Sequence, residues 1–146
     1  MSITYDELLD KIKRIIQPAL EPRDYLLASP PLTRKSMIWF VKEPRLNDPL
    51  FRIVEFQPSG FSQDEITRFA INLARRSYFD FDDPPERTIR EGYLYTRLTP
   101  LLWGEKNGAS DSWWYINPLE ELDSKMNDLL GKIISFGIPF LEENLT

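Results

Sequence analysis

The stretch Met37 to Ser59, M-I-W-F-V-K-E-P-R-L-N-D-P-L-F-R-I-V-E-F-Q-P-S, narrows most what this chain can fold into. Two extended apolar runs flank a segment holding Pro44 and Pro49, residues a helix interior does not tolerate, so the stretch reads as a β-hairpin. In the first run Met37, Trp39 and Val41 point one way and Ile38, Phe40 and Lys42 the other, which makes that strand apolar on both faces. Its partner alternates Phe51, Ile53 and Glu55 with Arg52, Val54 and Phe56. Strands buried on both sides sit centrally, so the remaining apolar segments are expected to extend or cover this pair.

Two helices are available to cover it. Leu8, Leu9, Ile12, Ile15 and Ile16 recur at helical spacing, and Thr4 with Glu7 three residues on supplies a capping box. Pro18 and Pro22 each remove a backbone donor, which predicts a kink or stop near Gln17. Pro22, Pro30 and Pro31 are then expected to keep residues 22–33 irregular. Near the other end Asn117, Pro118 and Glu120 give an N-cap, a proline at the first helical position and a capping box. Leu122, Met126, Leu129, Leu130, Ile133 and Ile134 form the apolar stripe of that helix, and Gly137 is expected to stop it. Ile138-Pro139-Phe140-Leu141 would then tuck back onto the core.

Between the helices the chain reads mainly as strand and turn. Ser62 to Ser77 fits two patterns, a capped helix with Ile66, Phe69, Ala70 and Leu73 inward, or a strand alternating Phe69, Ile71 and Leu73 with Ala70, Asn72 and Ala74. Periodicity alone leaves both open. Asp80, Asp82, Asp83, Pro84 and Pro85 form a turn, and Tyr93, Tyr95 and Arg97 alternate with Leu94, Thr96 and Leu98 as a strand closed by Pro100. Residues 104–112 read as an exposed loop and Trp113 to Ile116 as a short last strand. The expectation is one α+β domain over residues 1–146: an antiparallel sheet of about five strands, with an N-terminal and a C-terminal helix on one face.

Composition removes several chemistries. The chain has no cysteine and no histidine, so disulfides, thiolate metal sites, thiol nucleophiles and imidazole acid–base catalysis are excluded. The absence of cysteine, with acids near the N-terminus and no apolar run of membrane-spanning length, leads us to expect a cytoplasmic protein with no membrane partner. A net charge of −5 weighs against nucleic acid, whose phosphates call for a basic surface, although Arg75, Arg76, Arg87, Arg90 and Arg97 crowd one segment. The imbalance lies in residues 98–146, which hold three basic and eight acidic groups.

Five motifs in order carry a resemblance: Phe56-Gln57-Pro58-Ser59 ending a strand, Arg68-Phe69-Ala70-Ile71-Asn72-Leu73, Arg97-Leu98, Trp113-Trp114 after a polar loop, and Gly137-Ile138-Pro139-Phe140-Leu141. Together, over residues 5 to 143, they resemble the small bacterial family catalogued as domain of unknown function 4304. The resemblance implies that the Phe69 to Leu73 segment is a strand, and it implies no activity. The chain departs from the family's Gly-Phe turn into the first strand, where Asp24-Tyr25 stands instead.

The candidate binding residues are Trp113, Trp114, Arg97, Arg90 and Gln57. On a strand the two tryptophans face opposite sides, so one can enter the core while the other anchors a partner, or both can cover apolar surface. Arg90 and Arg97 with Arg75 and Arg76 could form a fork for a carboxylate or phosphate, or could pair with Glu86, Glu91 and the Asp80 to Asp83 cluster. That acidic cluster lacks the glycine and terminal glutamate of a calcium loop and reads as a solvated turn. No metal, cofactor or catalytic residue is expected. The preferred expectation is a non-catalytic protein-binding domain; by analogy alone, its small acidic make-up would suit an inhibitor or immunity protein that neutralises a basic toxin. A binder of an anionic small molecule, an enzyme using Asp, Glu, Tyr or Lys, and a self-associating domain are the alternatives.

Overall fold

The computed structural model describes residues 2–28, 37–62, 64–77, 94–98, 113–116 and 121–143, with side chains left undescribed at 94–97. The first helix is capped as expected: Thr4 accepts from the Glu7 amide and Glu7 accepts from the Thr4 amide, both at 3.1 Å. It runs as α1 (Tyr5–Lys11), a π turn (Ile12–Ile16), α2 (Gln17–Leu20) and a 3₁₀ turn (Glu21–Arg23). The last helix repeats the plan as α3 (Leu122–Lys132), a π turn (Ile133–Gly137) and α4 (Ile138–Leu141). Residues 117–120, with their capping signature, lie outside the described residues.

The last helix does not stop at Gly137, and the first, expected to kink or stop near Gln17, continues past it by way of a π turn. The chain passes through Pro18 and Pro139 because each proline follows a π turn. Gln17 and Ile138 donate to the carbonyls of Ile12 and Ile133, five residues back. The wider turn relieves the clash between a proline ring and the carbonyl one α-turn behind it. Gly137 is helical, with φ −70° and ψ −54°, and does not terminate the helix. A Cβ there would lie 3.4 Å from methyl groups of both Leu73 and Leu98, so the residue sets how closely the helix approaches the sheet.

The sheet is antiparallel, in the order β1 (Leu26–Leu27), β2 (Ile38–Lys42), β3 (Phe51–Ser62), β4 (Glu65–Arg76), β5 (Leu94–Arg97). β6 (Trp114–Tyr115) pairs with β4 as well, at Phe69 and Arg68, while β5 takes Asn72 to Arg75. The ambiguous segment is therefore the strand β4, and β3 is central as the hairpin pattern required. Pro58 lies within β3 beyond Phe56, the last residue paired with β2, a position where a missing donor costs little. One short strand, β1, occupies Leu26 and Leu27, where irregular chain was expected. Asp24 turns the chain into it with φ 68°, the left-handed conformation that commonly follows a helix end.

By register Ile38, Phe40, Val54, Phe56, Phe69, Ile71 and Leu73 share one side of the sheet. They form one cluster with Leu8, Ile12, Ile16 and Leu20 of the first helix and Leu122, Met126, Leu129, Ile133 and Leu141 of the last. Aromatic rings run through it, Phe40 edge-on to Phe56 at 6.1 Å and Phe56 to Phe69 at 6.4 Å. The opposite parity, Met37, Trp39, Val41, Ile53 and Ala74, makes a second cluster.

A polar clamp fixes the end of the last helix. Tyr25 and Lys42 donate to Glu142 at 2.9 and 2.7 Å, and Arg52 donates to the Leu141 carbonyl at 2.5 Å and to Asp48. A guanidinium suits a helix C-terminus, where carbonyls lack partners and the dipole is negative. Burial first, then the charge and hydrogen bond of Glu142, raise the Tyr25 phenol above the usual tyrosine range. Burial, with Asp6, pushes Tyr5 up to about 12.

Unfolded tyrosine ionises near ~10, so the two phenols stabilise the fold fully below that pH. Above it the unfolded chain sheds protons that the folded chain keeps, and the contribution is lost as pH rises, for Tyr5 between about 10 and 12. Urea midpoints measured against pH should therefore drop above ~10, and a Tyr5→Phe, Tyr25→Phe variant should flatten the drop. An equal drop in the variant would place its origin elsewhere.

Candidate binding surface

The sheet face carrying Trp39 also carries the chain's polar residues of interest. Register aligns Trp39, Glu55, Asn72 and Arg97 in one row across β2 to β5. Three of the side chains are joined. Trp39 Nε1 donates to Glu55 Oε2 at 2.7 Å and Asn72 Nδ2 donates to Glu55 Oε1 at 2.6 Å. Asn72 also donates to Gln57 Oε1 at 2.9 Å, so candidate Gln57 belongs to this network. Glu55 is fully buried and Asn72 nearly so, and Asn72 Oδ1 accepts no hydrogen bond from the described residues. A carboxylate held by an indole N–H and an amide in a strand row fixes register, because a slip would strand a charge in the interior.

Further along the face the row opens to the surface. On β3 the parity of Glu55 and Gln57 continues to Ser59, and on β4 that of Asn72 continues to Arg68, its cross-strand partner. Arg68 Nε donates to Ser59 Oγ at 3.4 Å, and its guanidinium carbon lies 4.1 Å from the centroid of the Trp113 ring. That distance is well within cation–π range. Tyr115, the register partner of Arg68 on β6, is 53% exposed. Its carbonyl accepts from Lys125 Nζ at 3.1 Å. Two residues beyond Ser59, at the hairpin tip, Phe61 is 88% exposed.

The two tryptophans separate as alternation requires. Trp114 stacks on Phe69 at 6.3 Å and packs against the main cluster, whereas Trp113 sits half-buried against Arg68. Arg75 and Arg76 do not share one fork. Consecutive strand residues face opposite ways, so Arg75 lies against Phe140 and the Glu143 carbonyl while Arg76 lies over Trp39. Burial first, then the charge of Arg52, depresses the Arg75 pKa. Arg97 is placed by its backbone opposite Asn72. Arg90, the Asp80 to Glu86 cluster and the loop 104–112 lie outside the described residues.

Three of the acids of the last third that are described are paired with cations. Asp123 accepts from Lys11 at 2.5 Å, a bond that holds its carboxyl below the usual range, Asp128 pairs with Lys132, and Glu142 sits in the clamp. Among the described residues no three acids gather as a metal site, and no helix is long and apolar enough to cross a membrane.

Sequence reasoning missed Arg68 and Tyr115, although Arg68 was within a quoted motif. The cation–π contact depends on β6 pairing with the far half of β4, and no local pattern encodes that pairing. No family model, no curated protein and no solved structure matches this chain.

Proposed function

We propose that this chain is a non-catalytic protein-binding domain whose contact surface is the sheet face around Arg68, Trp113 and Tyr115. One observation carries the reading: Arg, Trp and Tyr, the residue types most enriched at binding hot spots, stand together where β4 pairs with β6, at the edge of a face whose centre is buried. The exposed ring of Phe61 supplies an apolar contact near one end of that surface. By analogy the sequence reading added neutralisation of a basic toxin as one form of such binding. Its motivation, an acidic last third, is weakened by the internal pairing of Asp123, Asp128 and Glu142.

The test is capture from lysate of the source organism by purified protein, beside a Trp113→Ala, Tyr115→Ala variant. Trp114 is left intact because its ring stacks on core Phe69. A stoichiometric protein bound by the native chain and lost from a variant with an unchanged thermal midpoint is the expected result. No bound protein, or equal binding by both forms, would sink the reading. A dimer in light scattering, lost in the variant, would assign the same surface to self-association instead.

A further inference from the structure

We propose that the Arg68 guanidinium is the recognition element of this surface and that it reads a carboxylate on an acidic peptide segment of the partner. The inference rests on the protein-binding reading above and adds the partner's chemistry to it. The other arginine side chains described are engaged differently. Arg14, Arg45 and Arg52 pair with carboxylates, Arg23 and Arg75 donate to carbonyls, and Arg76 is buried over Trp39. Arg68 differs. Its Nε is tethered to Ser59 and its face is against Trp113, while Nη1 and Nη2 make no hydrogen bond or ion pair with the described residues.

That leaves the end-on edge of the fork, the pair of parallel donors that matches the two oxygens of a carboxylate. The side chain is already immobilised by the ring and the hydroxyl, so binding an anion forfeits little further rotamer freedom. A second cation stands nearby. Lys125 Nζ bonds the carbonyl of Tyr115, the cross-strand partner of Arg68, and pairs with no carboxylate among the described residues. A chain of net charge −5 therefore carries here two cations that pair with no carboxylate among the described residues, one of them against the Trp113 ring. Charge complementarity asks for an acidic segment with apolar neighbours that rest on Trp113 and Tyr115. A planar carboxylate fits one fork beside an indole, whereas phosphate sites more often gather several donors around three oxygens.

The test follows the Trp113 indole and Arg68 Nε–H resonances of ¹⁵N-labelled protein during titration. The probes are a blocked peptide with alternating Glu and Leu, its Gln counterpart, and inorganic phosphate. The glutamate peptide should shift both resonances saturably. The glutamine peptide should bind at least about tenfold more weakly, the usual scale for hydrogen bonds between charged groups. Arg68→Gln, with an unchanged thermal midpoint, should abolish the difference between peptides, and Arg68→Lys should keep part of it. Equal shifts from both peptides, or a difference that survives in Arg68→Gln, overturns the proposal. So does phosphate saturating the site at lower concentration than the glutamate peptide. A partner captured equally by native and Arg68→Gln protein, but lost by the Trp113→Ala, Tyr115→Ala variant, overturns this inference alone and leaves the protein-binding reading standing.

Discussion

Replacing Glu55 with alanine should destabilise the domain by about 3–5 kcal/mol, because two hydrogen bonds to a buried charge are lost together. Trp39 Nε1 would lose its acceptor and Asn72 would keep only Gln57. Water cannot restore these bonds cheaply, since Trp39 and Glu55 are fully buried. Glu55→Gln is the informative companion. Its amide keeps one oxygen for Trp39 or Asn72 and turns an N–H toward the other donor, so about half the loss should remain. Urea unfolding would measure both. An alanine variant within about 1 kcal/mol of the native chain would show that the row does not hold the sheet in register.

Arg52→Ala should cost a similar amount, about 3–5 kcal/mol, and should act locally on the last helix. The side chain is 4% exposed, bonds Asp48 and the Leu141 carbonyl, and approaches Glu142 Oε2 at 3.7 Å. Its removal leaves two carboxylates short of a cation and the helix end short of a donor. Two effects offset part of the loss: Lys42 still holds Glu142, and Arg75 is relieved of a like charge. Hydrogen exchange should accelerate first at the amides of Ile138, Phe140 and Leu141, ahead of β3. Uniform acceleration across the molecule would mean that the clamp belongs to the global core and not to the helix end.

Much of the sheet was legible because alternation in Met37 to Val41 and Phe51 to Phe56 admits one reading, and the register pairs found there use the same two faces. β4 was not legible from periodicity. Phe69, Ala70 and Leu73 satisfy both templates, and what decides between them is pairing with β3, β5 and β6, which are remote in sequence. The pooled arginines could have been separated by the rule applied to the tryptophans, since Arg75 and Arg76 are adjacent on a strand. The row through Glu55 was half visible: an acid at an inward position of a central strand implies a buried partner, but only register identifies Trp39 and Asn72.

The end of the last helix was misread, and the course of the first beyond Gln17 was left open, for a reason that the sequence does contain. Buried positions recur every four residues at Ile12, Ile16 and Leu20, and again at Leu129, Ile133, Gly137 and Leu141. At 3.6 residues per turn such a stripe drifts by about 40° at each step, so an unbroken α-helix would carry it off the sheet. Each π turn absorbs the drift, and the second residue after each is a proline, Pro18 and Pro139. In evolutionary terms the pair behaves as a ratchet. A single residue gained inside a helix is stored as a π turn, and a proline fixed just after it bars the way back. Deleting the extra residue would drive the ring into the carbonyl behind it, at a cost of about 3 kcal/mol. Shortening either helix across its π turn is therefore opposed for as long as the proline stays.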